Sequence, residues 1–232
     1  MKTNRLALLM LLLLPTLPMV AQQADDVEYR YEVGAAAGVN FSLNDANSGW
    51  YGNTQIAGGA VFRFLLNPRM AVKTALAYGK IGGSTDKIDN FYPADPNQTG
   101  TQRLSYKVDS DVIDLSVLYE LHFLPYGYVE GYQGYKRLVP YLQLGLGACY
   151  SPAAKVFSPC VPLGLGVKFK VAPRLNLGLE WRMQLTLNDK LDNLEAPLGI
   201  SSSGFKNKDH YSFTFLTLTY DLSPRCPNCN KD

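Results

Sequence analysis

Residues 110–123, SDVIDLSVLYELHF, alternate apolar and polar side chains almost throughout. The apolar positions share one face: Ile113, Leu115, Val117, Tyr119, Leu121 and Phe123. From Ile113 to Phe123 the other face is polar except at Leu118. Because successive side chains of a β-strand point to opposite sides, this pattern predicts a long strand with one apolar and one polar face.

The same alternation predicts seven further strands, at residues 31–41, 56–66, 70–82, 138–150, 163–171, 174–187 and 210–222. Several of them reach ten residues or more, which matches the roughly 9–11 residues that a tilted strand needs to cross a bilayer. In the last strand the apolar face changes sides between Phe215 and Leu216. We therefore expect a β-bulge or an edge irregularity in that strand.

Charged residues of both signs lie on the face opposite the aliphatic one: Glu32, Arg63, Lys73, Glu120, Lys168, Glu180 and Arg182. In a closed barrel that stands in lipid, these charges point inward and pair, while the apolar face meets the acyl chains. The sequence therefore predicts an all-β fold, an eight-stranded antiparallel transmembrane β-barrel of the outer-membrane type. A barrel of this size is too narrow for a channel.

A soluble barrel of the lipocalin type is the alternative, because periodicity alone does not say which face points inward. Strand length and the aromatic residues near strand ends, such as Tyr31, Tyr78 and Tyr150, favour lipid. The connections favour it too, since residues 42–55, 83–109, 151–162 and 188–209 are long, whereas residues 67–69 and 172–173 are tight turns. The exception is residues 125–137, PYGYVEGYQGYKR, a long connection expected on the periplasmic side with both termini.

The first 21 residues have the layout of a secretory signal peptide, with Lys2 and Arg5 before an apolar run and a small residue at Ala21. A retained helical anchor is the weaker alternative, because Pro15 and Pro18 break the short run. We expect residues 1–21 to be removed, residues 22–222 to form an outer-membrane barrel, and residues 223–232 to be a periplasmic tail. The net charge of +2 does not indicate a nucleic-acid partner.

The four cysteines are candidates for disulfides, because an exported protein meets an oxidising compartment. Cys149 and Cys160 flank the predicted loop after the fifth strand, which a disulfide could close. Cys226 and Cys229 form a CxxC pair in the tail, read as a disulfide or tail clamp. A zinc site shared with a partner is the open alternative for that pair. No metal or cofactor site is predicted within the chain itself.

No catalytic set is recognisable, and the sequence predicts a protein that is not an enzyme. The two histidines fall in predicted strands, where an interior hydrogen-bonded role is expected. The candidate pairs of general base and nucleophile are His122 with Ser116 and His210 with Ser212, and neither pair belongs to a known motif.

Four segments carry a family resemblance: residues 67–80 (NPRMAVKTALAYGK), 103–126 (RLSYKVDSDVIDLSVLYELHFLPY), 140–147 (PYLQLGLG) and 162–194, which ends in TLNDKLDNL. With the tail CPNCNK, they resemble the PorG-like (DUF6089) family of small outer-membrane barrels in the type IX secretion system. The order of the segments and the pattern Asp189, Leu191, Asp192 make the resemblance specific. Lys190 departs from the family, which commonly has Tyr there.

The resemblance implies a non-enzymatic role in type IX protein secretion. The family's role is to anchor the periplasmic ring of the lipoprotein PorK with PorN to the outer membrane, so PorK, PorN and outer-membrane lipids are the expected partners. Two surfaces would lie on the correct side for docking. One is the connection, with Tyr126, Tyr128, Tyr132 and Tyr135; the other is the tail, with Cys226 and Cys229.

The alternative function is a surface adhesin or ligand-binding barrel that acts through its extracellular loops. Asp95, Asn97, Asp189 and Asp192 lie in those loops and are candidates for binding an ion or a sugar. Ordinary solvation of a loop explains the same residues equally well.

Overall fold

The computed structural model describes residues 28–43, 49–84, 107–128, 134–188, 191 and 209–225. They form eight β-strands: β1 Tyr29–Leu43, β2 Gln55–Asn67, β3 Met70–Ser84, β4 Lys107–His122, β5 Leu138–Ser151, β6 Val156–Ala172, β7 Leu175–Thr186 and β8 His210–Pro224. Each strand pairs antiparallel with the next, and β8 pairs with β1 to close the barrel. The predicted fold class is confirmed. Across these residues, no helix is long and apolar enough to cross a membrane.

The sixth strand differs most from its predicted bounds. It begins at Val156 instead of residue 163, so only residues 152–155 separate β5 from β6 and the long loop predicted at residues 151–162 is wrong. Pro159 and Pro162 lie inside β6, where a missing N–H weakens the ladder. The pairing of β5 with β6 has a gap between Leu144↔Leu163 and Gly147↔Cys160, next to Pro162.

The irregularity expected in β8 is also wrong. The register of β8 with β1 runs from Tyr31↔Leu222 to Leu43↔His210 without a shift. The apolar residues change sides because the lumen changes character along its axis: Tyr211, Phe213 and Phe215 point into an aromatic part of the lumen and are at most 2% exposed. The register shifts lie instead beside the two tight turns, at Leu65/Asn67 and Lys170/Ala172.

The charged face of the barrel points inward and the aliphatic face points outward. Arg63, Lys73 and Glu120 are fully buried, whereas Leu144 is 59% exposed and Leu165 is 53% exposed. A soluble barrel of the lipocalin type has the reverse arrangement, so this alternative to a membrane barrel is excluded. An outward belt of Leu, Val and Phe around a charged interior is the construction of a transmembrane barrel. We call the end that carries residues 28–30 and 222–225 the terminal end, and the other the opposite end.

Candidate functional site

A network of buried ion pairs fills the half of the lumen nearer the terminal end. Arg63 lies at its centre: Nη1 is 2.8 Å from Glu32 Oε1, Nε is 2.9 Å from Glu120 Oε2, and Nη2 is 3.6 Å from Glu180 Oε2. Lys73 Nζ is 2.8 Å from Glu180 and 3.1 Å from Glu120. The inward charges predicted from the alternation therefore pair with one another.

The pairs of the network balance in charge. Lys168 Nζ lies 2.7 Å from Glu32, Lys170 pairs with Asp221, and Arg182 lies 3.4 Å from Asp114. Buried charges are tolerated only where they are paired and hydrogen-bonded. In the part of the chain that the structure describes, the network holds five cations (Arg63, Lys73, Lys168, Lys170, Arg182) and five carboxylates (Glu32, Asp114, Glu120, Glu180, Asp221). It therefore has no net charge with which to attract an ion.

The half of the lumen nearer the opposite end is mostly aromatic. Phe213 and Phe215 stack with their ring centroids 5.0 Å apart, and Tyr211 packs edge-on against Phe213. The Tyr211 hydroxyl donates a 2.8 Å hydrogen bond to Asp114 Oδ2. The guanidinium of Arg182 lies 5.4 Å from the centre of the Phe213 ring. This boundary between charged and aromatic layers accounts for the composition of β8.

Leu191, from the motif that carried the family resemblance, lies in the mouth of the barrel at the opposite end. Its side chain is fully buried in the cluster that includes Tyr211 and Val108. Its N–H donates to Asp209 Oδ2 at 2.8 Å, and its carbonyl accepts from Ser151 Oγ at 3.1 Å. Leu191 thus has a structural role, because it packs into this mouth and is held there by two hydrogen bonds. The loop residues Asp95, Asn97, Asp189 and Asp192 lie outside the described residues, so the adhesin reading of them stays a prediction.

Cys149 and Cys160 lie within β5 and β6, on the lumen side, and do not flank a loop as the sequence suggested. Cys149 pairs with Ser158 in the ladder and Cys160 pairs with Gly147, so the two cysteines are diagonal neighbours. Both thiols are buried and free. Cys160 Sγ lies 3.8 Å from Asp114 Oδ2. The long loop expected between the two cysteines is therefore wrong, because β5 and β6 extend past both of them, and a disulfide between them stays a prediction. Cys226 and Cys229 lie outside the described residues.

Tyr126 closes the lumen at the terminal end. Its backbone N–H donates to Pro68 O at 2.9 Å, and its side chain turns into the barrel, where the hydroxyl donates to Asn176 Oδ1 at 2.8 Å. The ring lies 4.5 Å from Lys168 Nζ and 5.0 Å from Lys170 Nζ, within the range of cation–π attraction. Burial raises the pKa of the Tyr126 hydroxyl far above its usual range, so it stays a donor. The half-buried Tyr126 thus lies at the floor of the lumen, and its predicted docking role stays a prediction.

Tyr135 belongs to a clamp that joins the two chain ends to the connection. Its side chain is 5% exposed, and its hydroxyl donates to Glu28 Oε1 at 3.0 Å. Arg225 Nη1 lies 3.3 Å from Glu28 Oε2, and Arg225 Nη2 donates to Leu65 O at 2.6 Å. The Arg225 N–H also donates to Glu28 O at 2.6 Å. The clamp fixes the point at which the tail leaves the barrel. This point comes immediately after Pro224, the last residue of β8.

Sequence reasoning missed Glu28 and Arg225, and the available signal was their opposite charge immediately before the first strand and immediately after the last one. It also assigned the whole of residues 125–137 to one docking surface. Of its tyrosines, Tyr128 is half-buried, with the guanidinium of Arg137 4.5 Å from its ring, and Tyr132 lies outside the described residues. Backbone hydrogen bonds join the two ends of the connection to the barrel: Tyr126 N donates to Pro68 O at 2.9 Å, and Lys170 N donates to Arg137 O at 2.8 Å.

The two histidine–serine pairs are not arranged as base and nucleophile. His122 Nδ1 lies 3.3 Å from Pro68 O in the lumen, while the Ser116 hydroxyl donates to Asp114 Oδ1. His210 Nδ1 accepts from Thr186 N at 3.2 Å. The buried Ser212 hydroxyl has no hydrogen-bond partner among the described residues. Neither serine is therefore activated by its histidine.

Comparison with known proteins adds a family and a set of fold relatives. The model of the domain of unknown function DUF6089 matches residues 5–231. No curated protein matches the chain. The solved structure of Neisserial surface protein A is 12% identical with a TM-score of 0.46, over 85% of this chain and 100% of that one. Ail of Yersinia pestis, solved with a heparin analogue, is 13% identical with a TM-score of 0.42, over 85% and 99%. OprG of Pseudomonas aeruginosa is 11% identical with a TM-score of 0.43, over 85% and 98%.

Proposed function

Because this chain belongs to the DUF6089 family, we propose that it is a non-enzymatic outer-membrane component of the type IX protein secretion machinery. In this proposal both termini lie in the periplasm, and the barrel anchors the periplasmic ring of PorK and PorN to the outer membrane. The proposal joins the family membership to the resemblance of the segments around residues 67–80 and 162–194. The outward apolar belt supports the membrane location.

The ordered terminal end is the observation that carries the anchoring role. A barrel that only spans the membrane needs a short turn between β4 and β5, as it has between β2 and β3 and between β6 and β7. Here residues 123–137 form that connection instead, and backbone bonds and the clamp of Glu28, Tyr135 and Arg225 hold its described residues, 123–128 and 134–137, against the barrel. A preformed surface loses less entropy on binding than a flexible loop does, so it suits a permanent anchor.

The direct test is purification of the tagged protein from outer membranes in mild detergent, followed by mass-spectrometric quantification. We expect PorK and PorN in amounts comparable to the barrel. A clean barrel without ring proteins would overturn the anchoring role and favour surface binding through the loops of the opposite end.

Removal of the tail tests which part of the chain docks. Truncation after Arg225 deletes residues 226–232 and leaves the clamp and the whole of β8 in place, so the barrel should fold with unchanged heat-modifiable migration on gels. We expect the yield of ring proteins to fall. The matched control is a shortening of residues 85–106 at the opposite end, which should leave the yield unchanged. Unchanged yield from the truncated chain would rule out the tail as a docking site.

A further inference from the structure

The described residues at the terminal end of the barrel carry an excess of exposed positive charge. Its exposed cations in the described ranges are Arg30, Arg69, Lys136, Arg137 and Arg174. Of the carboxylates described at the same end, Glu28 pairs with Arg225, and the buried Asp221 pairs with Lys170. The described part of this surface is therefore basic, although the ion-pair network in the lumen is balanced.

Two of these arginines, Arg137 and Arg174, lie against aromatic rings near the strand ends. Arg137 lies 4.5 Å from the Tyr128 ring and 5.5 Å from the Phe169 ring, and it donates to the carbonyl oxygen of Val171 at 2.9 Å. Arg174 lies 5.5 Å from the Tyr29 ring and donates to its hydroxyl at 3.3 Å. Aromatic residues at strand ends mark the interface of a membrane barrel, so Arg137 and Arg174 belong to its girdle.

Arg30 and Arg69 are placed differently. Arg69 lies in the turn between β2 and β3, where its N–H is held by Asn67 Oδ1 at 2.8 Å and its carbonyl accepts from His122 N at 2.8 Å. Arg30 is the second residue of β1 and shares the lumen-side face with Glu32, next to the clamped chain end. Both cations stand on backbone that is already fixed, around the floor that Tyr126 closes.

We propose that the terminal end, with Arg30 and Arg69 as its charged contacts, docks an acidic face of a periplasmic protein. This inference rests on the proposed function and specifies the chemistry of the ring surface that the barrel meets. A fixed basic surface that faces along the barrel axis is complementary to an anionic protein surface, and such complementarity sets the orientation of a complex and speeds its formation. In this arrangement Arg137 and Arg174 contact lipid headgroups, whereas Arg30 and Arg69 contact the partner protein.

The test compares two matched charge reversals in the full-length protein. One variant carries Arg30→Glu with Arg69→Glu; the control carries Lys107→Glu with Lys155→Glu at the opposite end and changes the net charge equally. Each tagged barrel is placed in nanodiscs of zwitterionic lipid and incubated with the ring proteins that co-purify with the wild type. The terminal-end variant should retain at least about tenfold less ring protein, because like charges would then face each other. The control should stay within about twofold of the wild type, since its charges lie farther from the partner than a Debye length.

Salt and lipid separate the alternatives. Raising the salt concentration should weaken wild-type retention toward that of the terminal-end variant. Equal retention by wild type and terminal-end variant, or equal loss in both variants, would overturn the inference while leaving the proposed function standing. Retention of ring protein that requires anionic phospholipid in the nanodisc would assign these cations to lipid headgroups and would also overturn the inference.

A wild type that retains no ring protein would overturn the proposed function itself. Arg30→Gln with Arg69→Gln, which adds no negative charge, should give an intermediate loss and replaces the reversal if that variant does not fold.

Discussion

Arg63 contacts carboxylates from three different strands, Glu32 on β1, Glu120 on β4 and Glu180 on β7. A guanidinium suits this position because its planar fork has five N–H donors that can reach several acceptors at once. Lysine serves where one or two carboxylates converge, as Lys168 does with Glu32. The chemistry of each lumen position thus follows from the number of acceptors around it.

Replacement of Arg63 by methionine should destabilise the barrel by about 3–5 kcal/mol, because it leaves buried carboxylates without their cation. The measurement is urea unfolding in lipid vesicles, followed by tryptophan fluorescence. The double variant Arg63→Met with Glu120→Gln removes one charge of each sign and should recover part of the loss. A loss below about 1 kcal/mol in the single variant would show that the network does not hold the strands together.

Each strand of the barrel contributes side chains both to the lumen and to the outer surface, as β6 and its neighbour β5 show. On the lumen side, Gly166 leaves room for the ring of Tyr141: a Cβ at Gly166 would lie 2.5 Å from that ring. Tyr141 uses the space to donate a 2.9 Å hydrogen bond to Glu180. On the outer side, Leu165 and its neighbours are exposed and form part of the apolar belt.

Substitution of Leu165 by arginine tests the orientation of that outer surface. Leu165 lies near the middle of β6, where a charge would meet acyl chains, so the variant should lose about 2–4 kcal/mol in vesicles. Leu165→Ala should lose less, because it removes apolar surface without burying a charge in lipid. A neutral or stabilising effect of arginine in the same denaturant titration would mean that this wall faces water.

As a whole molecule, the barrel is filled by its own side chains. Most of the ion pairs occupy one half of the lumen, and the aromatic layer occupies the other half together with the Arg182–Asp114 pair. Tyr126 lies at the floor and Leu191 in the opposite mouth. An eight-stranded barrel is just wide enough for its interior to be filled in this way. The described lumen is therefore packed from the floor to the opposite mouth.

The filled lumen predicts that the purified protein forms no steady conducting pore. In planar bilayers, single insertions should give no lasting current steps, because every path along the axis crosses paired charges and packed rings. Tyr126→Ala should remain silent too, since the ion-pair network behind the floor is unchanged. Stable conductance steps in the wild type would contradict the closed lumen and require a wider path than the described residues leave.

The sequence by itself determined the number of strands, most of their bounds and the identity of the inward charges. Alternation with a period of two is a local property of the extended backbone, so it can be read from neighbouring residues alone. The sequence also marked residues 125–137 as unusual for a turn. It misplaced the start of β6, because the prolines there looked like a loop, and it read the aromatic lumen face of β8 as a break in the strand.

Only the tertiary structure decided which groups meet. That Arg63 meets Glu120, that Cys149 and Cys160 face the lumen as neighbours, and that Glu28 meets Arg225 depend on the register between strands and on closure of the ring. Tyr126 and Tyr128 lie two positions apart in the same Tyr-rich segment, yet one fills the floor and the other lies under Arg137. The physical reason is that contacts between residues far apart in sequence are set by packing, which a local pattern does not contain.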